Sequence, residues 1–327
     1  MKAFVTGATG FLGSHLADLL LEKGWLVKAL ARKSSNLRWL EGKGVEFVWG
    51  DVGDQKGLEE GLKDVDVCFH LAGVIRAIHR ADYFRVNAEG TRHLLAAAVR
   101  VNPKISRIVV VTSLAAAGPS SNEHSLTEED PCRPVTDYGS SKLEAETIAR
   151  EFGKKLPVTI IRPPGIYGPR DTQILYYFRM ARWGFILLPW GSGRRLNLAH
   201  VKDVASGILL AGERAEAVGE TFFIGDKADY EWTEIAGHIA RGVRGDRVLK
   251  IQVPKMLGYL VGGAGELLTK VTGRSCPVNL ANIRNFVQKS WIFKIDKARR
   301  VLGYEPTVSM AEGIRETAAW YRDNRWL

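Results

Sequence analysis

Lys2-Ala3-Phe4-Val5-Thr6-Gly7-Ala8-Thr9-Gly10-Phe11-Leu12-Gly13, followed by Ser14-His15-Leu16-Ala17-Asp18-Leu19-Leu20-Leu21, is the stretch from which the fold is read. A short apolar strand runs into a turn with glycines at i, i+3 and i+6, and the turn opens an amphipathic helix. Gly7 permits the tight turn, Gly10 lets backbone N–H groups approach a pyrophosphate, and Gly13 lets helix and strand pack closely. The helix N-terminus adds its partial positive charge to such an anion site. A glycine-rich turn can also be no more than a turn, so the elements further along the chain decide between the two. Strands are expected at 26–30, 45–49 and 65–70, a helix over 81–101, a strand ending at Thr112, a helix carrying Tyr138, and a strand over 158–161. This alternation predicts an α/β fold with a doubly wound parallel sheet and helices on both faces. Ligands of such sheets lie beyond the carboxyl ends of the strands, where Gly7, Gly10, Asp51, Ala72, Gly73 and Ser113 all fall.

The chemistry is carried by Tyr138-Gly139-Ser140-Ser141-Lys142, which stands 25 residues after Ser113 at the end of the run Ile108-Val109-Val110-Val111-Thr112. Residues four apart on a helix share one face, so the lysine charge is expected to favour the phenolate and lower the tyrosine pKa. A serine hydroxyl presented from a strand end can hold a carbonyl or hydroxyl oxygen beside that phenol. The three groups would form a proton-transfer site for an alcohol or ketone. Taken alone, a Tyr-x-x-x-Lys spacing is common on helix surfaces; its weight comes from the strand-borne serine and the glycine turn before it.

Cofactor choice is read at the end of the second strand. An NAD site places an acid there, about 20 residues after the glycines, to accept from the ribose hydroxyls. Here Leu30-Ala31-Arg32-Lys33-Ser34-Ser35-Asn36 contains none. Arg32 and Lys33 can neutralise a 2′-phosphate, which favours NADP(H). The alternative is NAD(H), with Arg32 stacked on its adenine.

These residues together resemble a known family. The Gly7-x-x-Gly10-x-x-Gly13 turn, Asp51-Val52, His70-Leu71-Ala72-Gly73, Asn87-x-x-Gly90-Thr91, Ser113, Tyr138-x-x-x-Lys142, Arg162-Pro163-x-x-x-Tyr167-Gly168-Pro169 and His200-Val201-x-Asp203-Val204 are similar to motifs of the extended short-chain dehydrogenase/reductases. That family is part of the NAD-dependent epimerase/dehydratase superfamily. The resemblance implies a Rossmann domain over 1–165 with returning segments near 196–225. A smaller, mostly helical substrate lobe would cover most of 166–327. It implies that Gly7, Thr9, Gly10, Phe11, Leu12 and Gly13 hold the pyrophosphate and that Asp51 and Val52 flank the adenine. Leu71, Ala72 and Gly73 would line the adenine ribose and pyrophosphate. Ser113, Tyr138 and Lys142 would be the catalytic triad, with Lys142 also on the nicotinamide ribose. Asn87 would brace the central strands, and Pro163 to Ile166 would pass beside the nicotinamide. Ser113 rather than Thr112 matches the family's catalytic position, five residues before Gly118.

Within the family, nucleotide-sugar enzymes carry an arginine four positions before the site of His200, where it grips the diphosphate. This chain has Leu196 there, with Arg194 and Arg195 close by. The run Phe185-Ile186-Leu187-Leu188-Pro189-Trp190 and the apolar stretch 256–268 add to an apolar character. The chain is more similar to the dihydroflavonol-reductase and 3β-hydroxysteroid-dehydrogenase branch, which implies a secondary alcohol or ketone on an apolar skeleton.

Composition sets the remaining bounds. The chain has 327 residues, 46% hydrophobic and 25% charged, as expected of a globular protein with a large core. No apolar run is long enough to span a membrane, and the first residues read as strand rather than signal peptide. Cys68, Cys132 and Cys276 are odd in number and lack metal-ligand spacing, which predicts no metal and a reducing cytoplasm. Cys68, within a strand, reads as a small core residue. The formal charge of +10 includes a basic segment with Arg274, Arg284, Lys289, Lys294, Lys297, Arg299 and Arg300 against Asp296. Scattered solvated cations explain it better than nucleic acid, because no zinc spacing, RNA-binding sheet signature or aromatic-interleaved basic helix accompanies it. The polar stretch Pro119 to Asp130 is expected to be a surface loop near the site mouth.

From Pro254 to Lys270 the apolar residues Met256, Leu257, Tyr259, Leu260, Val261, Leu267 and Leu268 are interrupted by Gly258, Gly262, Gly263 and Gly265. Core packing is the favoured expectation for this helix, ahead of a substrate lid or a patch resting on a membrane. The sequence thus favours an oxidoreductase acting on an apolar small molecule, working as a homodimer. A nucleotide-sugar epimerase is the alternative, in which the hydride returns to the substrate. A non-catalytic cofactor-binding scaffold or redox sensor is the third reading, and it gives no reason for three intact catalytic groups.

Overall fold

The computed structural model describes residues 1–121, 124–189, 193–245, 247–272, 283, 288 and 290–327. Six strands, β1 (Lys2–Thr6), β2 (Leu26–Ala31), β3 (Glu46–Trp49), β4 (Val67–His70), β5 (Arg107–Val111) and β6 (Val158–Arg162), join the strand Thr221–Phe223 in one sheet. Its order is Thr221–Phe223, β6, β5, β4, β1, β2, β3, and every pairing is parallel. Both faces are covered, so central strands are rich in apolar residues: all five residues of β5 are buried, and Ile108 to Val111 are apolar without a break. The chain winds outward from β1 to β3, then crosses back to place β4 on the other side of β1. That reversal opens the crevice at which ligands of such sheets bind.

Helices Phe11–Glu22 and Val201–Glu213 cover one face, over a core of Val5, Leu16, Phe69, Val109 and Ile208. Helices Gln55–Leu62, Gly90–Val101 and Asp137–Phe152 cover the other, over Phe4, Leu58, Leu94, Ile108 and Ile148. Thr136 caps the last of these by accepting from Gly139 N at 3.1 Å, which fixes where the Tyr138 helix starts. The expected 81–101 helix is not one regular helix. It runs as Arg80–Tyr83, then a π-helical turn over Phe84–Glu89, then Gly90–Val101. The wider turn re-aims the side chains it carries, and Asn87 is among them.

The smaller lobe gathers around Tyr167, Phe178, Ile186, Ile235, Ile314 and Tyr321. It is built from helices Leu175–Arg182, Trp232–Val243 and Met310–Asp323 with short strand pairs, one of which sets Phe185–Pro189 beside Leu249–Val253. Before the last helix of this lobe, the chain returns to the main core through Phe293, Ile295, Ala298, Leu302 and Tyr304.

Two further expectations are corrected by the fold. Helix Lys255–Thr272 is not a core helix: Met256 is 75% exposed, Leu260 63% and Leu267 64%, while Gly258, Gly262 and Gly265 are the buried ones among its described side chains. Its inward side is the glycine side. The stretch Pro119 to Asp130 is not merely a surface loop either. Leu126 is buried, its N–H donates to Ile292 O at 3.0 Å, and its carbonyl accepts from Lys294 N at 2.8 Å. Of the basic segment, the half-buried Lys297 pairs with Glu220 and the exposed Arg299 with Glu305. Asn122 and Glu123 of the loop, Trp190, Arg274, Cys276, Arg284 and Lys289 lie outside the described residues. Cys68 is buried in the sheet, and burial pushes its thiol up.

Candidate active site

The first element of the site is the turn after β1. Gly7 has φ +74°, a left-handed conformation, and a Cβ there would stand 2.7 Å from Ala72 N. A Cβ on Gly13 would collide with the Gly7 carbonyl. These close approaches bring the glycine turn against Leu71 and Ala72 at the end of β4. Helix Phe11–Glu22 begins at Gly10 with no side-chain cap, which leaves the first N–H donors of the helix directed at the crevice beside Thr9, Phe11 and Leu12. The donor set and the glycine surface fit a dinucleotide pyrophosphate.

Around that turn the other strand ends contribute in order. Arg32 follows β2 and is exposed, its backbone N–H donating to Ser35 Oγ at 3.1 Å. Asp51 follows β3, with its Oδ1 accepting from Gly53 N at 2.7 Å. Val52 packs on Gly90, where a Cβ would be 2.7 Å from Val52 Cγ2. Gly73 lies where a Cβ would stand 2.9 Å from Asn87 Oδ1 and 3.0 Å from Lys142 Nζ. Pro163, after β6, accepts from Leu114 N at 2.8 Å and so sits beside Ser113. Ile166, half-buried, aligns with Ala199 in the neighbouring strand pair.

Ser113, in extended backbone, caps the short helix Leu114–Ala117 by accepting from Ala115 N at 3.1 Å, and its hydroxyl lies close enough to the Tyr138 phenol to favour the phenolate. Tyr138 reaches it because Gly139 packs directly on the Ala115 carbonyl, a contact any side chain would break. The Thr112 hydroxyl is turned elsewhere, donating to Glu146 Oε1 at 2.8 Å and also contacting the Ile161 carbonyl. Lys142 is 6% exposed and donates to Val111 O at 3.1 Å.

The expected electrostatic coupling differs from this arrangement. Burial pushes the Tyr138 phenol above its ordinary value, the nearby Ser113 hydroxyl works the other way, and Tyr83 adds to the rise. The Lys142 ammonium is engaged by a carbonyl rather than by the phenol, and burial lowers its own pKa from 10.5 to about 8 against the pull of Glu146. Asn87 also departs from its expected place. Its Oδ1 accepts from Val74 N at 2.8 Å while its Nδ2 donates to Val74 O at 3.1 Å and to Ser141 Oγ at 2.9 Å. It therefore ties the loop after β4 to the Tyr138 helix instead of bracing strands.

Two buried networks were not foreseen. Thr6 Oγ1 meets His70 Nδ1 at 2.7 Å, His70 Nε2 meets Thr91 Oγ1 at 3.1 Å, and Ala72 N donates to Thr6 Oγ1 at 3.2 Å. Burial holds His70 neutral, with its pKa lowered to about 3, so it works as a rigid link between β1, β4 and the following helix. Glu146, one turn beyond Lys142, accepts from Arg162 Nε at 2.8 Å and Nη2 at 2.6 Å, with both side chains almost wholly buried. The carboxylate thus stands between the Lys142 and Arg162 cations. The signal was present in the spacing Lys142 to Glu146, the same four-residue interval that joins Tyr138 to Lys142.

On the substrate side, the Tyr83 ring lies 6.3 Å from that of Tyr138. Leu196 is half-buried against the core of the smaller lobe. Arg194 Nε donates to the Gln288 carbonyl at 3.3 Å, and Arg195 pairs with Asp229 at 3.9 Å.

Comparison with known proteins gives these features a family. The model of the NAD dependent epimerase/dehydratase family matches residues 3–225. A ceramide reductase of Caulobacter vibrioides is 31% identical over 99% of this chain and 95% of its own. A sterol demethylase protein B of Methylococcus capsulatus is 31% identical over 99% of each chain. The crystal structure of gox2253 superposes with a TM-score of 0.80 at 27% identity, covering 99% of this chain and 98% of that one. The chain belongs to the NAD-dependent epimerase/dehydratase family, and its Rossmann fold is that of an NAD-linked oxidoreductase family.

Proposed function

We propose that this family member is an NAD(P)-dependent oxidoreductase that interconverts a secondary alcohol and a ketone on an apolar small molecule. The observation that carries the reading is the placement of the Ser113 hydroxyl beside the Tyr138 phenol, with Lys142 buried one turn further along the same helix. Ser113 orients the substrate oxygen, and Tyr138 gives it a proton on reduction or takes one on oxidation. The nicotinamide, when bound, supplies or accepts the hydride at the neighbouring carbon. Lys142 is to leave the Val111 carbonyl for the ribose, from where its charge favours the phenolate. Gly7 to Gly13 and Leu71 to Gly73 are to hold the pyrophosphate, Asp51 and Val52 the adenine, and Pro163 to Ile166 the nicotinamide side. Arg32, with no acid near it in the sequence, supports a preference for NADP(H).

An epimerase could use the same three side chains. Against it stands Leu196, an apolar group where a diphosphate needs a charge-assisted partner, with Arg194 and Arg195 engaged elsewhere. The names of the two relatives, a ceramide reductase and a sterol demethylase protein, agree with an apolar skeleton. The test is to follow cofactor absorbance with a panel of apolar ketones, and with nucleotide-sugars in parallel. Net cofactor oxidation by ketones is expected. Tight, unexchanged cofactor with sugar epimerisation and no ketone turnover would replace this reading by the epimerase.

A further inference from the structure

Helix Lys255–Thr272 inverts the usual arrangement of an amphipathic helix. On a helical wheel Met256, Leu260 and Leu267 fall within about 40° of one another, and Gly258, Gly262 and Gly265 fall within about 60° on the opposite side. The glycines are the buried set, and the three bulky residues are 75%, 63% and 64% exposed. The chain enters this helix directly from the strand Leu249–Val253, whose Leu249 is 65% exposed. Leu249 N donates to Gly184 O at 2.9 Å, next to Trp183, whose indole is 70% exposed. An apolar surface of this extent marks an interaction site rather than ordinary surface.

Charge identifies the occupant. The sequence from 244 to 274 carries Arg244, Arg247, Lys250, Lys255, Lys270 and Arg274 against Asp246 and Glu266. Among the described members, Arg244, Arg247 and Lys250 are exposed and precede the apolar helix, and the exposed Lys255 is its first residue. A two-fold contact between copies of this chain would bring one basic segment near another whichever way the helices ran. An anionic lipid surface instead offers hydrocarbon for the apolar face and negative charge for its basic flank. No helix among the described residues is long and apolar enough to cross a membrane, so the helix would lie in the plane of the interface. Trp183 is the residue type that anchors at that depth.

We propose that the protein docks on anionic bilayer surfaces through the apolar face of helix Lys255–Thr272 and its basic flank. This concerns where the protein sits and stands independently of the reaction proposed above. The experiment is sedimentation of the full chain, without cofactor or substrate, with vesicles of phosphatidylcholine alone or mixed with phosphatidylglycerol. Binding to the mixed vesicles, weakened by salt and by omission of phosphatidylglycerol, is expected. The double variant Leu260→Glu, Leu267→Glu should lower vesicle affinity at least about tenfold, since charge replaces apolar contact at the centre of the face. Both residues are solvent-exposed, so its thermal unfolding and its turnover of a short, water-soluble ketone should match the parent. Lys250→Glu with Lys255→Glu should remove the preference for phosphatidylglycerol while keeping the fold. Failure of the parent to sediment with the anionic vesicles overturns the proposal, as does equal binding by the leucine variant. A concentration-dependent dimer that the leucine variant abolishes, without vesicle binding, would assign the face to a second copy of the chain. Ketone turnover is measured separately, so either reading can fail without the other.

Discussion

Helices Asp137–Phe152 and Lys255–Thr272 are inversions of one another. The first buries Ser141, Lys142 and Glu146 and leaves much of its remainder to solvent. The second buries glycines and presents Met256, Leu260 and Leu267 to solvent. Gly139 brings Tyr138 to the Ser113 helix in the first, and the buried side of the second carries Gly258, Gly262 and Gly265. What differs is the kind of group each helix leaves over. Buried polar groups persist only when partnered, so the first helix advertises a site inside the molecule. Exposed apolar groups persist at a solubility cost, so the second advertises a contact outside it.

The sharpest way to break the comparison is to remove only the phenolic oxygen. Tyr138→Phe keeps the ring, the helix and the surrounding glycine contacts. It should lower turnover by about 10²–10⁴-fold while leaving cofactor affinity, read by fluorescence titration, unchanged. Activity within tenfold of the parent would remove Tyr138 from the chemistry.

Next comes the buried pair behind the lysine. Glu146→Ala leaves the Arg162 guanidinium, only 1% exposed, without its carboxylate. A loss of about 3–5 kcal/mol in urea unfolding is expected, because an uncompensated buried charge remains. The same truncation at Leu267 should cost well under about 1 kcal/mol, since that side chain buries little. Similar losses at the two positions would mean that the burial contrast between the helices does not govern stability.

Lys142 gives the contrast a pH dependence. Its pKa falls from 10.5 to about 8 on burial in the cofactor-free fold. Between those values the unfolded chain holds a proton that the folded chain does not, so stability from this group rises with pH across that window. Below about pH 8 the cost of burying the charge is present in full. Lys142→Met should therefore flatten the rise and stabilise the cofactor-free protein at neutral pH, by a margin of order 1–3 kcal/mol. Lysines and tyrosines elsewhere titrate alike in both proteins, so the difference between the two urea-unfolding series isolates this group. A variant less stable at neutral pH, with the same slope, would mean that the Val111 hydrogen bond outweighs burial.

The same contrast separates what was legible in the sequence from what was not. The parallel sheet was readable because β1, β4, β5 and β6 carry mostly apolar residues on both faces and run within three residues into glycine, serine or proline. Tyr138 and Lys142 were readable because a four-residue interval on a helix has one geometric meaning. The Thr6–His70–Thr91 chain was not, because its members lie far apart in sequence and meet only through strand register. The π-turn at Phe84–Glu89 leaves the apolar pattern of a helix in place, so periodicity could not reveal it. Residues 256–268 misled for a different reason. Hydrophobic content was counted without asking which side could approach the protein, and three glycines on one side answer that question.

Arg32 sharpens the reading of the nucleotide end. Arg32→Asp should weaken NADP(H) more than NAD(H), because a carboxylate would face the 2′-phosphate. A lost charge-assisted contact is worth roughly 1.5–3 kcal/mol, so at least a tenfold shift in the ratio of the two affinities is expected. Equal weakening of both would leave Arg32 with adenine stacking alone.

The smallest effect per step, and the one that addresses the substrate, is a series of ketones of increasing hydrocarbon length. A pocket lined by groups such as Leu196 should gain about 0.8 kcal/mol for each methylene it buries, close to a fourfold rise in kcat/KM per step, until it is full. Leu196→Arg should depress turnover of the longer ketones most, by setting a charge beside hydrocarbon that cannot pair with it. The exposed helix supplies the control that keeps the two apolar regions apart. Leu260→Glu should leave the chain-length trend intact when the ketones are free in water, because that side chain faces solvent rather than the site. If Leu260→Glu flattens the trend while Leu196→Arg does not, the apolar pocket belongs to helix Lys255–Thr272, and that helix is a lid. If neither variant touches a flat series and a nucleotide-sugar competes with the ketone, the site was built for a polar substrate.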